Sequence, residues 1–145
     1  YDKYKSGFGN KKITESNLPE IFRKADVLSL HVPLNEETKY MVNKQFIDSF
    51  SKPIYIVNTA RGKNLNTEDL VNAMENGKVL GACLDVLEYE SVSFEALDGA
   101  TLPKPFAYLL KSDKVILTPH IAGWTHDSNY KMSKWIAEKM VKCFE

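Results

Sequence analysis

The sequence has little of several features that would define a protein class at once. It contains only two cysteines, Cys83 and Cys143. They lie far apart and form no Cys-x-x-Cys pair, which argues against a structural disulfide or a metal site and favours a reducing intracellular setting. No charge is in excess, because 19 Lys and Arg balance 19 Asp and Glu. This balance argues against a nucleic acid or a membrane surface as a partner.

Long apolar runs and a signal peptide are also absent, so we expect a cytoplasmic protein. The 145 residues suffice for one domain with a core. The chain begins at Tyr1 without an initiator methionine and ends at Glu145 inside a helical pattern. We therefore expect it to belong to a longer protein.

Four short apolar runs predict β-strands over residues 25–32, 54–58, 79–86 and 115–118. The runs are apolar throughout rather than alternating, and helical segments separate them. This pattern predicts an α/β fold, a doubly wound parallel sheet covered on both faces.

Helices are predicted where capping residues precede apolar positions at helical spacing. Asn43 caps one near residues 44–50, Asn66 or Thr67 caps a second that Gly77 ends, and a third covers residues 125–144. An apolar stripe in the last helix is predicted to be core, and it comprises Met132, Trp135, Ile136 and Met140. Residues 87–114 are predicted to form a long irregular insertion with one short helical turn near residues 107–110.

Polar side chains follow the predicted strands: His31, Asn58 to Arg61, Asp85 to Glu90, and His120. In parallel sheets, ligands bind beyond the carboxyl ends of the strands. A guanidinium can hold a carboxylate, an imidazole can transfer a proton, and a neighbouring carboxylate can orient that imidazole. Such a set can interconvert a 2-hydroxy acid and a 2-oxo acid if a nicotinamide carries the hydride.

Each residue alone also has an ordinary structural interpretation. Arg61 can extend into water, His120 can be a packing residue, and Glu88 and Glu90 can be solvated loop charges. Asp85 differs, because a carboxylate at the end of an apolar strand needs a partner or a ligand.

Four ordered segments carry a resemblance: ADVLSLHVPLNEETKYMVN, IVNTARG, GACLDVLEYE and ILTPHIAG. Together they resemble the D-isomer-specific 2-hydroxyacid dehydrogenases, and we expect the phosphoglycerate dehydrogenase-like subfamily. The resemblance implies that residues 1–145 form part of a Rossmann-like NAD-binding domain. The first βα unit, with its glycine-rich loop, and the separate catalytic domain would lie outside this chain.

The resemblance also implies catalytic roles. Arg61 would bind the substrate carboxylate and carbonyl, and Glu90 would pair with His120. His120 would be the general acid in reduction and the general base in oxidation. Ser91 follows Glu90 where the family often has proline, so Glu88 remains a rival for the role of Glu90.

For the cofactor, the resemblance implies NAD. Asp2 would hold the adenosine ribose hydroxyls and disfavour NADP, a preference that Lys3 and Lys5 weaken. Asp85 would lie near the nicotinamide carboxamide. The other cofactor-binding residues implied are His31, Val32, Pro33, Thr59, Ala60, Arg61, His120, Ala122 and Gly123, with Thr59, Ala60, Ala122 and Gly123 contributing mainly backbone.

The sequence therefore leaves two alternative functions. The first is an NAD-dependent oxidoreductase acting on a small 2-hydroxy or 2-oxo acid, expected to be a homodimer. The alternative is a non-catalytic NAD(H)-sensing interaction protein of the corepressor type, which can retain the same Arg, Glu and His set.

Overall fold

The computed structural model describes residues 1–90 and 102–144. Its sheet has four strands, β1 (Val27–Leu30), β2 (Ile54–Asn58), β3 (Val79–Leu84) and β4 (Val115–Leu117), in the order β1-β2-β3-β4. Every neighbouring pair is parallel, so the predicted parallel α/β sheet is confirmed.

Two strands end two residues earlier than the sequence predicts, and β4 ends one residue earlier. Strand β1 ends at Leu30 and β3 ends at Leu84, each two residues before the predicted end. Both terminal residues pair with Asn58, the last residue of β2. Because the central strand turns away after Asn58, its neighbours lose their pairing partner there.

Five α-helices accompany the sheet in the described part of the chain: α1 (Leu18–Lys24), α2 (Lys44–Asp48), α3 (Thr67–Glu75), α4 (Lys104–Lys111) and α5 (His126–Phe144). The predicted caps of α2 and α3 are present. The Asn43 side chain accepts the Phe46 amide hydrogen, and the Asn66 side chain accepts that of Asp69. Gly77 follows α3 with φ +79°, the left-handed conformation that favours glycine.

Two helices differ from the sequence-based expectation. Helix α1 was not predicted, although Asn17 caps it by accepting the Glu20 amide hydrogen and Pro19 lies in its first turn. Helix α4 occupies eight residues where only one short turn was expected. Pro105 lies in the first turn of this helix and does not break it, because a proline there lacks only an amide hydrogen that has no helical partner. The rest of the predicted insertion, residues 91–101, lies outside the described residues.

The core lies on one face of the sheet. Leu30, Ile56, Ala82 and Leu84 are all buried there, at 0 to 3% exposure. Helix α1, helix α2 and the segment after α2 contribute a cluster of three aromatic rings, in which Phe22 packs edge-on against Phe46 and Phe50 at centroid distances of 5.0 Å. This packing fixes the sheet against α1, α2 and the segment after α2.

The opposite face of the sheet is exposed in the described part of the chain. Val27 pairs with Tyr55, and Cys83 pairs with Ile116, so the paired side chains share a face. Tyr55 is 50% exposed and Ile116 is 63% exposed. The expectation that both faces are covered is therefore wrong for the described residues, and we call this surface the bare face.

Helix α5 contributes no buried residue. The predicted core stripe is exposed, with Met132 at 53%, Trp135 at 58%, Ile136 at 54% and Met140 at 58%. The prediction that this stripe is core is wrong for the described residues, because helical spacing places side chains on one face but does not supply the surface that covers them. No described helix has both the length and the apolar character of a membrane span.

Candidate active site

The carboxyl ends of the four parallel strands bring most of the predicted site residues to one edge of the sheet. His31 follows β1, Thr59 follows β2, Asp85 follows β3, and His120 comes three residues after β4. The order of the strands places Asp85 between the end of β2 and the loop that carries His120.

Two fully buried asparagines hold the backbone of Arg61. Asn58 Nδ2 donates to the Arg61 carbonyl at 3.1 Å, and Asn64 Oδ1 accepts the Arg61 amide hydrogen at 3.1 Å. Asn58 Oδ1 also accepts the Ala60 amide hydrogen at 3.0 Å. A buried asparagine without such partners would be costly, so this turn has little freedom to rearrange.

The turn then packs closely against the segment after β3. A Cβ added to Gly62 would lie 2.0 Å from the Leu87 carbonyl oxygen, so only glycine allows this approach. The Arg61 side chain is exposed, and its Nη1 donates to the Ala60 carbonyl at 2.6 Å. The structure thus brings Arg61 beside the turn of Glu90 through the backbone, without a hydrogen bond between the Arg61 side chain and Glu90 or His120.

Asp85 is 5% exposed, and protein groups satisfy its carboxylate. Oδ1 accepts the Thr118 hydroxyl hydrogen at 2.5 Å and the Ile121 amide hydrogen at 2.9 Å, and Oδ2 accepts the Ala122 amide hydrogen at 2.9 Å. Burial of Asp85 acts to raise its pKa, but these three hydrogen bonds outweigh it and place the pKa below the ordinary value of 3.8. The partner that the sequence demanded for Asp85 is therefore the loop that carries His120.

His120 adopts the left-handed conformation with φ +56°, which is uncommon for a residue other than glycine. Its amide hydrogen is donated to the Asp85 carbonyl at 2.9 Å, which supports this backbone geometry. Residues held in such conformations concentrate at functional sites.

Glu90 and His120 form a side-chain pair, as the family resemblance implies. His120 Nδ1 lies 3.1 Å from Glu90 Oε2. Since a carboxylate only accepts, Nδ1 carries the hydrogen and Nε2 remains for another partner. Glu90 Oε1 accepts the Leu87 amide hydrogen at 2.8 Å. The Glu90 carboxylate therefore orients the imidazole of His120 and also closes the turn from Leu87 to Glu90.

Glu88, the rival for this position, makes contacts elsewhere. Its Oε1 accepts the Tyr40 hydroxyl hydrogen at 2.7 Å, and its Oε2 accepts hydrogens from the hydroxyl and the amide of Thr67. The geometry therefore places Glu90, and not Glu88, at His120.

A cleft of about 410 Å³ opens at the carboxyl ends of β2, β3 and β4. Its walls include Val57 and Ile116, and its polar groups include Thr59, Asp85 and Thr118. Mostly apolar walls with a few polar groups suit a flat heteroaromatic ring such as nicotinamide. The residues present therefore fit the nicotinamide end of the predicted cofactor.

Two backbone contacts predicted for the cofactor are already used within the protein. The Ala60 amide hydrogen is donated to Asn58, and the Ala122 amide hydrogen is donated to Asp85. Thr59 and Gly123 have no such contact among the described residues, and a Cβ at Gly123 would meet nothing within 4 Å.

Among the residues predicted for the adenosine end, Asp2, His31 and Pro33 are exposed and Val32 is half-buried. Asp2 Oδ1 accepts the amide hydrogens of Tyr4 and Lys5 at 2.8 and 3.0 Å. The Tyr4 hydrogen bond lowers the pKa of Asp2 most, which keeps this carboxylate ionised. Lys3 forms an ion pair with Glu37.

The His31 to Pro33 segment follows β1 directly. The His31 imidazole lies 2.8 Å from the Ser29 hydroxyl, and Val32 is half-buried. The Pro33 carbonyl accepts hydrogens from Thr38 Oγ1 at 2.6 Å and from Asn64 Nδ2 at 3.3 Å. Asn64 therefore connects this segment to the Arg61 turn.

Three residues that build the site were given no role by sequence reasoning. Asn58, Asn64 and Thr118 position Arg61 and Asp85, as described above. Asn58 stood in the quoted segment IVNTARG, where a polar residue ending an apolar strand is a usable signal. Asn64 and Thr118 gave no signal, because their partners come from other segments of the chain.

Together, the parallel sheet and the residues at its carboxyl edge define a Rossmann-like NAD-binding domain. Residues 1–122 match the family described as D-isomer specific 2-hydroxyacid dehydrogenase, NAD binding domain. The chain belongs to this family.

Curated relatives carry names that are consistent with this membership. The chain is 37% identical over 135 residues to a D-lactate dehydrogenase of Lactiplantibacillus plantarum, covering 91% of this chain and 41% of the relative. It is 36% identical over 126 residues to a glyoxylate reductase of Thermofilum pendens, covering 87% of this chain and 34% of the relative. The chain thus spans less than half of the length of these two relatives.

Solved structures share the fold. The D-lactate dehydrogenase of Aquifex aeolicus, complexed with NAD and lactic acid, matches with a TM-score of 0.70 and 35% identity. The match covers 89% of this chain and 40% of that structure. The NAD-binding fold predicted from the sequence is therefore confirmed.

Proposed function

We propose that the protein containing this chain transfers a hydride between NAD(H) and a D-2-hydroxy acid or 2-oxo acid. The observation that carries the proposal is the 3.1 Å contact between His120 and Glu90 at the carboxyl edge of the sheet. Family membership supports it, and the names of the relatives agree with it.

The roles we propose follow from the donors and acceptors that remain free. The Arg61 guanidinium has five N–H donors, and only Nη1 is engaged among the described residues. The remaining donors can bind a substrate carboxylate bidentately. The His120 side chain is 51% exposed, and its Nε2 can give a proton to the substrate carbonyl oxygen during reduction and take it back during oxidation.

Glu90 would keep the His120 ring in one orientation. Thr59, Asp85 and Gly123 would border the nicotinamide, and Asp2 with residues 31–33 would border the adenosine. The bound nicotinamide would supply or accept the hydride, which no side chain can do.

The proposed function covers one chemical class, the 2-hydroxy and 2-oxo acids, and an experiment has to identify which acid is the substrate. The resemblance in sequence favoured phosphoglycerate, whereas the relatives are named for D-lactate and glyoxylate. A panel of pyruvate, glyoxylate, 4-methyl-2-oxopentanoate and 3-phosphohydroxypyruvate covers small, branched and phosphorylated acids. Oxidation of NADH with each acid, followed by absorbance in the full-length protein, tests the proposal directly.

Arg61→Lys is the matched test of the site, because lysine keeps the charge but loses bidentate geometry. We expect kcat/KM to fall by about ten- to a hundredfold. Arg23→Lys is the control, since Arg23 is an exposed helix residue that pairs with Glu20. Unchanged turnover of every acid by Arg61→Lys would contradict the role proposed for Arg61.

The sensor function makes the opposite prediction for the wild-type protein. A sensor would bind NADH, as measured by fluorescence, yet oxidise it with none of the acids at a useful rate. The expected homodimer stays a prediction, and sedimentation of the full-length protein tests it.

A further inference from the structure

Glu88 holds two separate parts of the site at once. Its carboxylate accepts the Tyr40 hydroxyl hydrogen at 2.7 Å on one oxygen. The other oxygen accepts the Thr67 hydroxyl hydrogen at 2.7 Å and the Thr67 amide hydrogen at 3.1 Å. Thr67 is the first residue of α3 and is 4% exposed, so the anchor lies on a packed element.

Tyr40 continues this connection toward Arg61. Its amide hydrogen is donated at 2.7 Å to the carbonyl of Lys63, two residues after Arg61. Tyr40 adopts φ +51°, a conformation that an aromatic residue rarely takes. The surrounding contacts must hold it there, and the Glu88 carboxylate is one of them.

Glu90 stands on the same turn as Glu88. The Glu90 amide hydrogen points to the Leu87 carbonyl at 3.4 Å, and Glu90 Oε1 accepts the Leu87 amide hydrogen. The Leu87 carbonyl in turn packs against Gly62. Fixing Glu88 therefore fixes the segment from which Glu90 reaches His120.

We propose that Glu88 is a positioning residue, which through Tyr40 and Thr67 sets the distance between the Glu90–His120 pair and the Arg61 turn. The Glu88 carboxylate hydrogen-bonds to Tyr40 and Thr67, and not to His120 or Arg61. The inference rests on the proposed function, because the distance matters only if the two groups act on one substrate.

A purely structural role is the competing interpretation. A carboxylate at the first residue of α3 also stabilises the helix through its unpaired amide groups. In that case, loss of Glu88 would lower stability but leave the geometry of the Glu90–His120 pair unchanged in the molecules that remain folded.

The first experiment compares Glu88→Ala, Glu88→Gln and wild type in the full-length protein. We expect Glu88→Ala to lower kcat by about ten- to a hundredfold, because small misplacements of reacting groups have effects of this size. The dissociation constant of NADH, measured by fluorescence, should change less than about twofold, since Glu88 lies outside the cleft.

Glu88→Gln should recover most of the lost kcat. Its amide oxygen can still accept both hydrogens of Thr67, and its amide nitrogen can donate to the Tyr40 hydroxyl oxygen. Glu75→Ala is the control, because Glu75 is an exposed glutamate at the other end of the same helix. A Glu88→Ala protein with lowered thermal stability but wild-type kcat, assayed well below its unfolding temperature, would overturn the proposal.

Two additions keep the test decisive. If Glu88→Ala does not fold, Tyr40→Phe removes one of the three hydrogen bonds, with Tyr55→Phe as its control on the bare face. Unchanged kcat in Tyr40→Phe would then count against the proposal.

The tautomer of His120 provides a second test that does not depend on turnover, and ¹H–¹⁵N correlation spectra report it. We expect the Nδ1–H tautomer in wild type and a mixture of both tautomers in Glu88→Ala or Tyr40→Phe. An inactive wild type would refute the proposed function alone, and an unchanged tautomer would refute the role of Glu88.

Discussion

Gly62 lies against the Leu87 carbonyl so closely that a Cβ at Gly62 would come within 2.0 Å of the carbonyl oxygen. This contact joins the backbone that carries Arg61 to the backbone that carries Glu90. Neither partner is a flexible side chain, so the contact cannot be relieved by rotation.

Gly62→Ala should therefore force the two backbones apart. We expect a loss of about 1 to 3 kcal/mol in the free energy of unfolding, measured by urea titration. Gly123→Ala is the control for stability, because a Cβ there meets nothing within 4 Å. Equal unfolding midpoints for the two variants would show that the close approach is absent in solution.

Asn64→Ala tests how the Arg61 turn is held. The change removes the acceptor of the Arg61 amide hydrogen and the donor to Pro33 and Thr38, all in a fully buried position. We expect about 1 to 3 kcal/mol of lost stability and a raised KM for the 2-oxo acid. Asn72→Ala, at an exposed position of α3, should change neither quantity. A KM that stays at the wild-type value would contradict the expectation that Asn64 supports substrate binding.

Asp85 should make stability depend on acidity. Its pKa lies below 3.8 in the folded state, so its contribution to stability is complete above that value and disappears as the pH falls through the folded pKa. Asp85→Asn should therefore be less stable than wild type by about 1 to 3 kcal/mol at pH 7. The difference should shrink below pH 3.8, where the wild-type carboxyl takes up its proton. Urea midpoints measured across pH would contradict this assignment if the difference stayed constant.

Thr118→Val should shift the same titration. Thr118 donates to Asp85 at 2.5 Å, the shortest of the three hydrogen bonds to that carboxylate. Without it the pKa of Asp85 should rise, and acid unfolding should begin at a higher pH. Thr118→Ser, which keeps the hydroxyl, should behave as wild type in the same acid titration monitored by circular dichroism.

The sequence was sufficient to predict the features that depend on residues close together along the chain. Apolar runs gave the strands, and Asn43 and Asn66 gave the starts of two helices, because capping acts within three residues. The prediction that residues 87–114 form an irregular insertion was partly wrong, because α4 lies within this segment. Pro105 lies in the first turn of α4, where a proline is compatible with a helix.

Contacts between distant segments were harder to foresee. The spacing in GACLDVLEYE could not distinguish Glu88 from Glu90, since the distinction depends on Tyr40, Thr67 and His120 from three other parts of the fold. The pairing of His120 with Glu90 was anticipated only through family resemblance. The burial of the α5 stripe was predicted wrongly, because its apolar pattern contains no information on which surface lies opposite.

The bare face bears on how the chain behaves in solution. Tyr55 and Ile116 place apolar area in water, and the apolar stripe on α5 is exposed to a similar degree. Apolar patches of this kind attract amphiphilic dyes and promote self-association. Preparations of the 145-residue chain should therefore bind anilinonaphthalene sulfonate in the native state. Their light scattering should grow with concentration and with added sulfate, which strengthens apolar association.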